Sequence, residues 1–171
     1  MALSLLSLNA MDCPAFVDAI GTVFEHSPWV ARKTWPLRPF ASLDDLHQKL
    51  CRTVAAAGAD RQLSLLRAHP DLVGRLARRG RLTRESTAEQ AAAGLDQLSE
   101  QEIALFDRYN REYRERFGFP FIICARLNRK EAILQAFPRR LQNPREREIS
   151  LALEEVYKIA RLRLEDRLTE A

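Results

Sequence analysis

Only six glycines and eight prolines punctuate the 171 residues, too few for the many tight turns of an all-β protein, so a helical domain is favoured. Cysteine is scarcer still. Cys13, Cys51 and Cys124 are odd in number and far apart, with no C-x-x-C pair; that argues against a disulfide framework or a zinc site and for a reducing compartment. No stretch approaches the roughly 18 apolar residues of a membrane span. The opening MALSLLSLNAMDC carries no basic segment ahead of its short apolar run, as a secretory signal would, and the closing RLTEA is neither a peroxisomal nor an ER address. A cytoplasmic protein without membrane contact is the expectation. Histidine is rare as well: His26, His47 and His69 lack the i, i+4 pairing of a helical zinc site and are read as having no cysteine close by, so no metal is expected.

What is present is charge of both signs. Lys and Arg number 27 against 23 Asp and Glu, a formal net charge of +4, which suits a small anionic substrate or weak nucleic-acid contact. Most basic residues are interleaved with acids, the pattern of a solvated surface. The exception is the cluster Arg75, Arg78, Arg79, Arg81 and Arg84 in one loop. It lacks the interleaved aromatics of a nucleic-acid stacking platform.

The chain reads as one domain, residues 1–171, of about seven to nine capped helices. DCPAFVDAIGTVFEHS carries Pro14 in its first turn, with Phe16, Ile20, Val23 and Phe24 at helical spacing. Ser27 is expected to cap a helix beginning at Pro28. Ser42 with Asp45 forms a variant capping box, and Leu43, Leu46, Leu50 and Val54 the inner stripe of a helix that stops by Gly58. Asp60 is expected to cap the next, with Leu63 and Leu66 facing inward, and Pro70 to end it at His69. Ser99 and Glu102 cap a long helix with Ile103, Phe106, Tyr109, Tyr113 and Phe117 available for burial, closed by Gly118. FPFIICARL reads as a strand or a buried extended segment. Asn128 with Glu131 and then Asn143 with Pro144 are expected to open the last two helices.

Three features carry chemistry. His69 ends a helix, where the C-terminal dipole would favour its charged form, or moves a proton. Ser86 and Glu89 are spaced as a capping box, yet a helix start also offers free N–H groups to anionic or carbonyl oxygens; Glu89 fits as cap, as catalytic carboxylate, or as both. On the last helix Ile149, Val156 and Arg163 recur every seven residues, within roughly 20–40° of one another around the axis. Arg163 therefore lies on the apolar face with Ala152, Leu153 and Ala160, and Arg161 on the polar one. A guanidinium there requires an anion, a buried Glu, or a route back to water. Its fork grips two carboxylate oxygens at once.

Taken in order, SPWVARKTW, AHPDLVG, STAEQAAAGL, NREYRERFGFPFIICA and EVYKIARLRL resemble the motif series of the 2-oxo-4-hydroxy-4-carboxy-5-ureidoimidazoline (OHCU) decarboxylase family, across nearly the whole chain. The resemblance implies an all-helical fold, a homodimer, no metal or organic cofactor, and a small anionic ureidoimidazoline substrate decarboxylated to (S)-allantoin at the end of urate oxidation. It makes His69 the catalytic proton donor, Glu89 catalytic, and Pro70 part of the pocket wall. Ser86, Thr87, Ala88 and Gln90 become substrate contacts. Phe121, Ile122, Ile123, Cys124 and Ala125 match the segment whose backbone groups read the ring and ureido amides, and Arg163 matches the family's anion-binding arginine. One departure is ARLNRKEA, where many members carry a glycine-containing turn. The alternative is a helical nucleic-acid-binding or scaffold domain using the arginine-rich loop, a reading that leaves Arg163 without a purpose.

Overall fold

Two of the helices begin where an apolar stripe coincides with a side-chain cap. Ser42 accepts the Asp45 amide at 3.0 Å and Ser99 the Glu102 amide at 3.1 Å, each satisfying an N–H that the first turn of a helix leaves without a partner. The computed structural model describes residues 3–74 and 80–169. Among them nine α-helices follow one another: α1 Leu5–Ala10, α2 Cys13–Ile20, α3 Trp29–Thr34, α4 Leu43–Ala55, α5 Ala59–Arg67, α6 Arg84–Ala92, α7 Glu100–Phe117, α8 Lys130–Leu141 and α9 Arg145–Arg167. The strands β1, Leu3–Ser4, and β2, Leu168–Thr169, pair in parallel with Leu3 opposite Leu168. The protein is all-α, as its composition and patterning imply.

Three helix starts differ from the sequence expectation, two of them where the expected cap has another hydrogen-bond partner. Ser27 donates its hydroxyl to the Glu25 carbonyl at 2.9 Å, and α3 begins at Trp29 without a side-chain cap. Gly58, at φ 87°, precedes α5, so Asp60 sits inside its first turn; Leu65 and Leu66 are the buried pair, and Leu63 is only half-buried. The Asn128 amide turns back to the Cys124 carbonyl at 2.9 Å, leaving α8 to start at Lys130.

The described residues form two compact units. The first comprises the described residues of 3–68 and 157–169, the second those of 69–156. In the first, α2 packs on α3 and α3 on α4, around Phe16, Ile20, Val30, Leu46, Leu50 and Val54, all essentially inaccessible. Burying each such side chain is worth about 1.5–3 kcal/mol. Both tryptophans lie in this unit: Trp35 donates its indole N–H to the Met11 carbonyl at 3.0 Å, and the Arg61 guanidinium stands 5.1 Å over the Trp29 ring. In the second unit α7 packs on α8 through an aromatic cluster. Phe121 stacks on Phe137 at 3.8 Å, and Tyr113 meets the edges of Phe119 and Phe121 at 5.8 and 5.3 Å.

Two capping carboxylates make part of the fold's stability depend on pH. Asp45 accepts the Ala41 amide and the Lys49 ammonium, each at 2.9 Å; Glu102 accepts the Ser99 amide at 3.2 Å and pairs with Lys130. The backbone bond first and the lysine second hold both carboxyls below the usual range. A carboxyl lowered on folding stabilises the folded state at neutral pH, and that contribution disappears as pH falls through the folded value. Asp45→Asn is therefore expected to melt below wild type at neutral pH and together with it in acid, as thermal melts across a pH series would register.

Candidate active site

His69 follows α5 by two residues and is 7% exposed. Pro70 comes next, and the loop it opens is gripped by side chains of two helices. Its internal turn bond, Gly74 N–H to the Asp71 carbonyl, spans 3.4 Å, longer than a normal backbone bond. The Leu72 carbonyl instead accepts the Asn110 amide of α7 at 2.8 Å, and the Val73 N–H donates to the Gln90 side-chain oxygen of α6 at 3.1 Å. Asp71 is paired with Arg114 at 2.7 Å. Val73 holds φ at 56°, in the left-handed region that β-branched residues avoid. A Cβ on Gly74 would fall 2.8 Å from that of Asp71, so only glycine closes this turn without a shift.

Helix α6 begins one turn earlier than its capping-box spacing suggests. Thr83 is the cap: its hydroxyl oxygen accepts the Ser86 amide at 3.2 Å, and its carbonyl the Thr87 amide at 2.9 Å. The expected Ser86–Glu89 box is thus replaced, and these two N–H groups are already engaged and not open to a ligand. Glu89 stands in mid-helix, half-buried. Ser86 and Gln90, four residues apart, are buried on one face; Thr87 and Ala88 are exposed.

The segment after α7 has no strand pairing among the described residues, and Phe119 through Ala125 are all buried. Two of its carbonyls already accept hydrogen bonds. Ile122 oxygen takes the Arg140 guanidinium at 2.5 Å, while Cys124 oxygen takes Asn128 and, at 3.1 Å, the Leu127 amide of the 3-10 turn Ala125–Leu127. Burial pushes the Cys124 thiol up, and the carboxylates of Glu155 and Glu89 add to the effect. The 3-10 turn packs on α6.

Sequence reasoning missed the group that anchors this segment. Glu148, fully buried, accepts the Tyr113 hydroxyl at 2.6 Å and Arg140 Nε at 2.8 Å on one oxygen, and Asn143 at 2.9 Å on the other. The Arg140 guanidinium lies 4.3 Å over the Phe121 ring. Burial and the neighbouring Glu148 carboxylate hold the Tyr113 phenol far above its ordinary range.

In the first unit, Arg163 is 3% exposed, as its seven-residue spacing implied, and Arg161 faces Asp44 and Glu165 on the polar side. A carboxylate meets Arg163, and it belongs to the chain: Glu25, itself 2% exposed, accepts from Nη1 at 2.8 Å, and the Thr22 carbonyl accepts from the same nitrogen at 3.2 Å. Glu25 lies 138 positions away, beyond any local spacing signal.

The second unit thus carries His69, Pro70, Ser86–Gln90 and Phe121–Ala125, and the first carries Arg163. The second also contains a cavity of about 330 Å³ lined by Val73, Thr87, Gln90, Leu95 and Ile103 among others. Among the described residues no three His, Cys, Asp or Glu side chains are grouped to hold a metal. One correction concerns His47: Cys51 stands one helical turn on, its sulfur 3.4 Å from Nε2, although that nitrogen also meets the Tyr157 carbonyl at 2.8 Å. Burial pushes the Cys51 thiol up to about 12, away from the thiolate a metal takes. Of the arginine cluster, Arg81 and Arg84 are exposed, and Arg75, Arg78 and Arg79 lie outside the described residues. No helix among the described residues is long and apolar enough to cross a membrane.

Comparison with known proteins covers both units. The family model for OHCU decarboxylase matches residues 9–165. The chain is 45% identical to the 2-oxo-4-hydroxy-4-carboxy-5-ureidoimidazoline decarboxylase of Haloferax volcanii, over 98% of this chain and 97% of that one. It is 44% identical to the Uric acid degradation bifunctional protein PucL of Bacillus subtilis, over 95% of this chain but 32% of that protein. Among solved structures, an (S)-allantoin synthase superposes with a TM-score of 0.78 at 27% identity, over 98% of this chain; this chain spans 54% of its length. An OHCU decarboxylase crystallised in the presence of (S)-allantoin, 20% identical with a TM-score of 0.67 over 91% of this chain and 97% of that one, shares the fold. The extent of these matches and the ordered motifs of the sequence agree: the chain belongs to the OHCU decarboxylase family.

Proposed function

We propose that this protein decarboxylates 2-oxo-4-hydroxy-4-carboxy-5-ureidoimidazoline to (S)-allantoin, closing the oxidation of urate. The observation that carries the reading is the 45% identity, end to end, with a relative bearing that name. The chemistry suits a protein that works with side chains alone. Carbon dioxide leaves behind an electron pair, and the substrate's unsaturated ring, adjoining the reacting carbon, accepts it. The protein must orient the carboxylate out of the ring plane, stabilise developing charge, and deliver one proton to one face.

In this reading His69 reprotonates the carbon, its burial at 7% exposure keeping bulk water from competing on either face. Glu89, inside α6, shares the proton traffic. Ser86 offers a buried hydroxyl beside it on α6, and Pro70 and Phe121–Ala125 wall the ring. Gln90 joins them through its amide nitrogen, its oxygen being held by Val73. Arg163, oriented by Glu25, takes the substrate's anionic group in its fork. The working form is a homodimer of the cytoplasm; the three cysteines without disulfides accord with a reducing compartment.

The test uses freshly generated substrate, since it also decays unaided, and follows circular dichroism for handedness. Wild-type protein is expected to yield (S)-allantoin well above the blank rate. A racemic product formed at the blank rate ends the reading.

A further inference from the structure

We propose that Asn110 is a positioning residue for His69, acting through the loop that carries it and in concert with Gln90. This rests on the reading of His69 as proton donor. Three observations point the same way. First, among the described residues the turn bond inside the loop, from the Gly74 N–H to the Asp71 carbonyl, is 3.4 Å long. Second, two successive backbone groups, the Leu72 carbonyl and the Val73 N–H, are gripped instead by buried side chains from two helices, Asn110 at 2.8 Å and Gln90 at 3.1 Å. Third, Val73 between them is held at φ 56°, a conformation that costs a β-branched residue free energy and persists only when its surroundings over-determine it.

The polarity of the grip is specific. Asn110 supplies its donor to Leu72, while its own Oδ1 is buried with no hydrogen-bond partner among the described residues. A buried amide with one acceptor unused is a poor choice for stability alone; its net work is the bond to the loop. Without that bond, Val73 is expected to relax toward negative φ and swing the chain three to four residues after His69. The imidazole would then present its proton to the wrong place or to both faces.

The experiment compares Asn110→Leu with wild type for kcat, KM and the enantiomeric excess of allantoin, beside Ile133→Val, a fully buried change in the same unit that leaves the loop untouched. Asn110→Leu is expected to lower kcat about 10²-fold, the cost of misplacing a reacting group by an ångström, with KM little changed and the product partly racemic. Adding Val73→Gly, which removes the left-handed penalty, is expected to recover part of both losses. Should Asn110→Leu not fold, Asn110→Ser, whose hydroxyl is too short to reach Leu72, is read in the same way. The proposal is overturned if kcat and enantiomeric excess stay at wild-type values, or fall only as far as Ile133→Val lowers them for a similar loss of Tm. A His69→Gln protein with full selectivity would instead overturn the underlying reading, whatever Asn110 does.

Discussion

His69→Gln is expected to abolish enantioselective decarboxylation while leaving the far-ultraviolet circular dichroism and the Tm close to wild type. The imidazole sits at a loop, two residues beyond α5, so glutamine, similar in reach and polarity, disturbs no helix. What it removes is an imidazole, a side chain able to give up and take back a proton, which an amide does not do. Positioned general acids are worth about 10²–10⁴-fold in rate, and kcat should fall within that range. Because the substrate decays by itself, the sharper readout is handedness: the residual product should approach a racemate. A variant with wild-type enantiomeric excess removes His69 from the mechanism and shifts the proton to Glu89.

Glu148→Ala is expected to produce the largest loss of stability. The carboxylate is fully buried and receives Tyr113, Arg140 and Asn143 together. Removing it leaves a guanidinium of which 11% is exposed without its counter-charge, a change that costs about 3–5 kcal/mol in buried pairs. For a chain of this size that corresponds to a fall in Tm on the order of 10 °C. Glu148→Gln keeps acceptors for the tyrosine and should lose less. A thermal melt by circular dichroism decides the matter; a loss below about 1 kcal/mol, the value of an exposed pair, would show that Arg140 finds another anion. Because Arg140 also holds the Ile122 carbonyl, activity should drop with stability.

How far the sequence speaks depends on the range of the interaction. The helices, their inner stripes and the caps at Ser42 and Ser99 are set by residues three or four apart, and they were legible. So was the face of α9 that buries Arg163, since periodicity alone defines it. Where two local signals compete, spacing fails: Thr83 and Ser86 each have the composition of a cap, and the turn geometry favoured Thr83. Asn128 failed as a cap for a similar reason, its amide being drawn back to Cys124. Partners distant in the chain left no signal. Glu25 looks like any acidic residue after an apolar run, and Glu148, inside NPREREIS, looks like part of a solvated helix start. The motif resemblance named His69, Glu89 and the 121–125 segment, but nothing in it announced that Asn110 and Gln90 clasp the histidine's loop.

The placement of both tryptophans in the first unit separates two optical signals. Indole emission excited at long wavelength reports on Trp29 and Trp35, both in the first unit, whereas near-ultraviolet dichroism carries in addition the cluster around Tyr113 in the second. Recording both during one denaturant titration tells whether the halves melt as one: coincident midpoints mean a single cooperative transition, and displaced ones a sequential loss.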